Sequence, residues 1–377
     1  MTLATKKKLL IVTPSLYGGG AERVLVLLLR HLDRSLFDPS VVMFGPENDF
    51  AADIPDDVRI TILESRGKKD ALRLVRKLAH WFKKESPDII LTSLYRVNYL
   101  SLITMLARRL SHANAMMVLA EHGNLSWCME RAQWAFVRSA LIRNNYLYPA
   151  TDAVICVSKG LQEDLTRNWG VSESQTRVIH NPVELEMIEQ RSREPVDHAW
   201  FQGDVPVIIA CGRLDVQKNY PLLLRAFRRI RSHMGNACLA ILGEGPLKQE
   251  LLAYVADLDL AEAVTFLGFQ KNPFKYISRA RMLVLSSSME GFPMAILEAM
   301  ACSTPVVSTQ CRYGPEEIIS HGENGLLVPI EDEKALADAV LQLLRDESSR
   351  KKIAAAGRQK VEDFRADVIA RKYEATF

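Results

Sequence analysis

No stretch of about 18 or more apolar residues occurs in this 377-residue chain, so no segment reads as a membrane-spanning helix. Cysteine is sparse: Cys128, Cys156, Cys211, Cys238, Cys302 and Cys311 lie scattered, with no C-x-x-C pair. That spacing fits neither a disulfide framework nor a zinc ribbon, and reduced, mostly buried thiols are expected. Charge of one sign is missing too. The 48 Lys and Arg against 45 Asp and Glu leave a formal charge of +3, too weak a field to argue for nucleic acid. The start carries only a short apolar run, Leu9 to Val12, so no signal peptide is expected and a cytoplasmic location is. No repeat of solenoid period is visible. What remains is a globular composition, 48% hydrophobic and 25% charged, long enough for two domains.

The first half alternates apolar strands with helical stretches. A buried strand at 8–13 runs into Gly18, Gly19 and Gly20, then an apolar-periodic helix over 24–32. Strand, glycine-rich turn and helix open a doubly wound α/β domain, and such glycines let backbone N–H groups approach a phosphate. The spacing is not G-x-G-x-x-G, which disfavours a nicotinamide site; a plain tight turn stays open. Strands follow at 40–44, 59–63, 88–93, 115–120 and 152–157. A helix over 69–84 is read with Leu72, Val75, Ala79 and Phe82 inward and Arg73, Arg76, Lys77, Lys83 and Lys84 outward. Such alternation argues for a parallel sheet covered on both faces. His122 stands at the carboxyl end of the strand 115–120, where open α/β sheets hold ligands, although a lone His also serves structural ends. Between 127 and 148 aromatics and arginines mix: Trp127, Trp134, Phe136, Arg138, Arg143, Tyr146 and Tyr148. They read as a packed helix with snorkelling Arg stems, or as a surface that meets anionic lipid. The segment 184–203 reads as a linker.

A second α/β half starts with a strand over 205–211, followed by Arg213 and Lys218. Further on, 282–286 reads as a buried strand and Met294 to Ala301 as a helix, with Pro293 suited to its first position. Glu290 then lies in the turn and Glu298 inside the helix, roughly 10–12 Å apart at ~1.5 Å per residue. Two carboxylates so placed cannot share a proton or a metal, but they can grip two ends of one elongated polar ligand. The helix N-terminus between them is a natural seat for phosphate. Asp257 and Asp259 spell D-x-D, a metal-binding pattern elsewhere, but precede their strand at the wrong end of the sheet. No metal is expected.

The run E-G-F-P-M-A-I-L-E-A-M-A (Glu290 to Ala301) resembles the E-x7-E signature of the retaining, nucleotide-sugar-dependent family 4 glycosyltransferases. G-R-L-x-x-x-K-N-Y (Gly212 to Tyr220) is similar to that family's phosphate-binding segment, and V-I-H-N-P-V (Val178 to Val183) to another of its segments. The resemblance covers nearly the whole chain. It implies a GT-B fold, two Rossmann-like doubly wound domains facing across a cleft. These would be an acceptor-binding domain over 1–190, a donor-binding domain over 204–365 and a helix over 366–377 crossing back to the first.

It further implies transfer of a hexose or N-acetylhexosamine from a UDP-sugar to an acceptor hydroxyl, retaining the anomeric configuration and requiring no metal. In that reading Glu290 holds the donor sugar near its anomeric carbon, and Glu298 the ribose hydroxyls. Arg213 and Lys218 stabilise the departing phosphate charge, aided by the helix N-terminus at Phe292, Met294 and Ala295 and by the Gly18–Gly20 loop. Phe269 borders the nucleobase, and His122 stands near sugar and acceptor. The segment from Ser308 to Ile319 resembles bacterial transferases acting on undecaprenyl-diphosphate oligosaccharides. The expected acceptor is therefore a lipid-linked or cell-envelope glycan, met at the inner face of the cytoplasmic membrane. A soluble acceptor, or an epimerase-like enzyme that releases UDP without an acceptor, are the alternatives.

Overall fold

The computed structural model describes residues 5–16, 18–46, 48–64, 70–94, 99–130 and 147–377. They form two compact units. The first runs to Pro182 and includes Ala366–Phe377; the second is Val183–Arg365.

The first unit contains β1 (Lys7–Thr13), α1 (Gly20–His31), β2 (Phe37–Met43), β3 (Arg59–Ile62), α2 (Ala71–Glu85) and β4 (Ile89–Leu94). It continues with α3 (Tyr99–Ser111), β5 (Met116–Glu121), α4 (Leu125–Glu130), β6 (Ala153–Cys156), α5 (Lys159–Trp169) and β7 (Thr176–Val178). The seven strands make one sheet in the order β3-β2-β1-β4-β5-β6-β7, every pair parallel. Strands of such a sheet are buried on both faces, which explains the unbroken apolar run Leu9 to Val12 in β1. One face packs Leu25, Leu28 and Leu29 of α1. The other packs Leu74, Leu78 and Phe82 of α2 with Ile103 and Ala107 of α3.

The second unit holds α6 (Leu185–Ser192), β8 (Val207–Cys211), α7 (Tyr220–His233), β9 (Cys238–Leu242), α8 (Lys248–Asp257), β10 (Val264–Gly268) and α9 (Phe274–Ile277). Then come β11 (Met282–Leu285), α10 (Met294–Ala301), β12 (Val306–Thr309), α11 (Pro315–Ile318), β13 (Leu326–Val328), α12 (Glu333–Arg345) and α13 (Glu347–Lys360). Its six strands are ordered β10-β9-β8-β11-β12-β13. In both sheets the chain winds outward one way from a central strand and then the other, so each is Rossmann-like and the α/β class read from the sequence holds. The last helix, α14 (Ala366–Glu374), belongs to the first unit, where Ile369, Ala370 and Tyr373 enter the core beside α1.

Three readings need correction. Leu72 is 64% exposed, whereas Leu74, Val75, Leu78, Ala79 and Phe82 are buried. Steps of about 100° per residue put position 72 about 90° away from the middle of that stripe. The segment 184–203 is no free linker: α6 lies in the second unit and buries Leu185 and Ile188, and the unit boundary falls at Pro182. Its abundant Glu and Arg sit on the helix's outer side. Pro293 is extended (ψ 110°) and precedes the helix rather than opening it. Trp134, Phe136, Arg138, Arg143 and Tyr146 lie outside the described residues.

Candidate functional site

In the second sheet β8 and β11 are neighbours, while β9–β10 extend one way and β12–β13 the other. At such a switch point the loops leaving the carboxyl ends of the two strands part and leave room for a ligand. The loop after β8 carries Arg213 and Lys218, and the loop after β11 carries Glu290.

These loops are stitched together. Ser288 N donates to Gln217 O at 2.9 Å. Gln217 Nε2 donates to Met289 O at 2.9 Å and Ser286 Oγ to Lys218 O at 2.8 Å. Asp215 shapes the first loop by accepting from Gln217 N at 3.1 Å, and Asn219 (φ 46°) turns the chain into α7. Gly212 gives the Lys218 stem room, since a Cβ there would stand 2.9 Å from Lys218 Cε.

The outcome is an ion pair. Lys218 Nζ lies 2.6 Å from Glu290 Oε1, and Ser287 Oγ donates to the same oxygen at 2.6 Å. Glu290 is only 5% exposed. Thr309 Oγ1, at the end of β12, donates to Ser287 O at 2.6 Å and holds that turn in place. The cation expected on a phosphate and the carboxylate expected on a sugar thus neutralise each other. A buried charge pair of this kind is expensive to break on one side only, so the two groups are coupled.

Other predicted residues of this unit surround the pair unequally. Arg213 is exposed and its Nε stands 3.9 Å from Asp215 Oδ2, so its guanidinium remains open to solvent and to an anion. Glu298 is buried, where a surface position was the alternative. Its carboxylate adds to the burial that pushes up the thiols of Cys211, at the end of β8, and Cys302, just past α10. Phe292 is buried with its ring 5.4 Å from that of Phe364, so only its backbone can serve a ligand. Met294 is buried and Ala295 half-buried; no side chain caps the first turn of α10, and apart from Ile296 N, which donates to Pro293 O at 3.1 Å, its N–H groups are left for an anion. Phe269, just past β10, is 46% exposed, a large apolar ring left in water. Asp257 ends α8 and Asp259 (φ 57°) sits in the following turn, at the opposite end of the strands from this site.

Gly18, Gly19, Gly20 and His122 belong to the first unit. Gly18 (φ 52°) lets the chain turn from β1 into α1. Gly19 precedes the helix without a side-chain cap, and a Cβ there would collide with the Glu22 carboxylate. His122, just beyond β5, is buried; that burial pushes its imidazole down to about 4 against the opposing effect of Asn181, so at neutral pH it is uncharged. Beside it the sequence reading passed over Glu121. Burial and the charge of Asp164 push its carboxyl up to about 7, against a hydrogen bond that Tyr148 Oη donates at 2.8 Å. Ser286, Ser287, Asp215 and Gln217 were passed over as well. Small polar residues at strand ends carry no signal of their own until the loops that receive them are known.

Comparison with known proteins gives two family matches. Residues 18–187 match the Glycosyltransferase Family 4 model, and residues 194–360 match that of Glycosyl transferases group 1. The chain is 31% identical, over 97% of its length and 98% of the relative's, to N-acetylgalactosamine-N,N'-diacetylbacillosaminyl-diphospho-undecaprenol 4-alpha-N-acetylgalactosaminyltransferase of Campylobacter jejuni. A second protein of that organism is 26% identical over 97% of both chains: GalNAc-alpha-(1->4)-GalNAc-alpha-(1->3)-diNAcBac-PP-undecaprenol alpha-1,4-N-acetyl-D-galactosaminyltransferase. Among solved structures, Anabaena HepE in complex with UDP and glucose superposes with a TM-score of 0.81 at 20% identity, over 98% of this chain and 99% of that one. That likeness is one of fold.

Proposed function

Since the chain belongs to the family 4 glycosyltransferases, enzymes that take a sugar from a nucleotide-sugar donor, we propose that it moves an N-acetylhexosamine or hexose from a UDP-sugar to a hydroxyl of a polyprenyl-diphosphate-linked or cell-envelope glycan, with retention and without a metal. The relatives named for N-acetylgalactosamine transfer to undecaprenol-linked glycans favour UDP-N-acetylgalactosamine within that class. The observation that carries the reading is the Lys218–Glu290 pair at 2.6 Å, at the switch point of the second sheet.

As the bond from the anomeric carbon to the diphosphate oxygen breaks, negative charge grows on the diphosphate. Lys218 turns from Glu290 toward that charge, and Arg213 and the first-turn N–H groups of α10 share it. Two cations at the leaving group do the work a divalent ion does elsewhere. Glu290, released from the ammonium, accepts from hydroxyls of the donor sugar. Glu298 binds the ribose hydroxyls and Phe269 stacks on the base. In the first unit the Gly18–Gly20 loop serves the diphosphate. His122, neutral at working pH, accepts a hydrogen bond from a sugar hydroxyl without adding charge to the site. The leaving phosphate takes the acceptor proton on the same face, so Glu290 forms no covalent intermediate. The enzyme works at the inner, cytoplasmic face of the membrane that holds its acceptor.

Thermal stabilisation across a panel of nucleotides and nucleotide sugars in a chelating buffer tests this reading. A shift with UDP and one UDP-sugar, lost in Glu298→Ala, is the expected result; no shift with any nucleotide sugar would overturn it. Turnover of that donor with a polyprenyl-diphosphate-linked glycan then separates transfer from acceptor-free release of UDP, and a glycosyl adduct on Glu290 would sink the mechanism.

A further inference from the structure

Strands β10, β9, β8 and β11 lie side by side in that order in the second sheet. The loops at their carboxyl ends carry Phe269, then Glu244, then Arg213 with Lys218, then Glu290. Neighbouring strands stand about 4.8 Å apart, so the row spans about 14 Å from β10 to β11. An extended ligand laid along it meets an aromatic ring at one end, two cations in the middle and Glu290 at the other end.

The part of this row on the ring side is built as one piece. Leu214 N donates to Glu244 O at 3.0 Å and Leu247 N to Leu214 O at 3.1 Å, which joins the loop after β9 to the loop of Arg213. A Cβ at Gly245 would collide with Leu214 O, so glycine lets the two backbones come this close. On the other side Gly243 N donates to Gly268 O at 2.8 Å. Gly268 (φ 68°) then makes room for the Glu244 side chain, since a Cβ there would stand 2.9 Å from Glu244 Oε1. The carboxylate is thus held against the residue that precedes Phe269. Lys248 Nζ lies 2.9 Å from the same carboxylate oxygen. Both side chains reach solvent, and an exposed pair of this kind is worth little to stability. Lys248 is moreover the first residue of α8, where the helix dipole disfavours a cation. What the pair offers is an acceptor and a donor side by side, next to an aromatic ring open to water.

We propose that Glu244 and Lys248 read the edge of the donor's base and select uracil over cytosine, an inference that rests on the nucleotide-sugar reading of this site. Uracil presents a carbonyl oxygen, O4, beside a ring N–H at N3. Cytosine presents an amine at the same corner, beside an N3 that carries only a lone pair. Lys248 donates to O4 while Glu244 accepts from N3–H, with the Phe269 ring on the face of the base. Cytosine sets its amine against the ammonium and its N3 lone pair against the carboxylate, so both contacts turn repulsive. Ribose and diphosphate are common to the two nucleotides, which leaves the pair as the discriminating element.

Calorimetric titration of the full chain with UDP and with CDP tests this. The parent chain is expected to bind UDP at least about tenfold more tightly than CDP, the effect of one charge-assisted hydrogen bond. Glu244→Gln, whose amide turns either its oxygen or its nitrogen toward N3, brings the two affinities within about threefold of each other. Glu244→Lys/Lys248→Glu exchanges acceptor and donor and inverts the preference. Thermal melts without nucleotide check that both variants fold; if the exchange variant does not, Glu244→Gln decides. Equal affinities in the parent chain, or a UDP-to-CDP ratio that Glu244→Gln leaves unchanged, would overturn the proposal while the donor reading stands. Binding of neither nucleotide by the parent chain would overturn the donor reading as well.

Discussion

Glu290 and Lys218 are each legible as isolated charges, yet their coupling is a fact of loops meeting in space. Lys218→Met leaves a buried carboxylate that Ser287 Oγ alone does not neutralise and should cost about 3 kcal/mol of stability in the second unit. Lys218→Met/Glu290→Gln removes the stranded charge and should recover most of that loss, although both variants lose transfer. Denaturant midpoints of the two variants check this. Glu121 makes a pH prediction of the opposite kind. Its folded value of about 7 lies above the ordinary 4.5, so its contribution to stability is full below pH 4.5 and is lost as pH rises through 7. The gap between those values corresponds to about 3 kcal/mol. His122, lowered from 6.5 to about 4, contributes stability that is present above pH 6.5 and lost as pH falls toward 4. Glu121→Gln keeps an acceptor for Tyr148 and should stabilise the first unit at pH 8.5 but not at pH 4, where only the His122 loss remains; chemical denaturation at the two pH values measures it.

At the scale of elements, apolar periodicity located α2 but set its inward face one residue wrong at the start. The correction is quantitative. Leu78→Ala empties a fully buried position and should cost about 2–5 kcal/mol. Leu72→Ala, at 64% exposure, should stay within about 0.5 kcal/mol, and parallel thermal melts distinguish the two. Helix α10 was read with its observed bounds because strand 282–285, a turn and Pro293 punctuate it so plainly. Helix α6 was missed because eight residues rich in Glu and Arg bury only Leu185 and Ile188, too few to establish a period.

For the whole molecule, alternating strands and helices implied two doubly wound sheets, and both are present with the same winding order. The helix 366–377 was assigned its path by resemblance. In the structure Tyr373 is fully buried, Phe377 stacks edge-on with Phe37 at 5.8 Å, and Asp33 N donates to Glu374 Oε1 at 2.7 Å. Ending the chain at Arg365 exposes the core beside α1. Burial of Ile369, Tyr373 and Phe377 contributes about 5–8 kcal/mol, a large share of a unit's stability. Hydrogen exchange should then show the first unit opening throughout while strands β8 to β13 stay protected.

Residue order alone carries the α/β class, the strands and the family signature, because buried parallel strands must be apolar throughout and a signature is local by nature. It also placed charged groups at the ends of strands. Tertiary structure alone decided which of those charges meet. Lys218 and Glu290, 72 positions apart in the chain, close into a 2.6 Å ion pair only because β8 and β11 are neighbours in the sheet. Sheet order depends on the packing of every helix between them, and no local pattern in the chain encodes it.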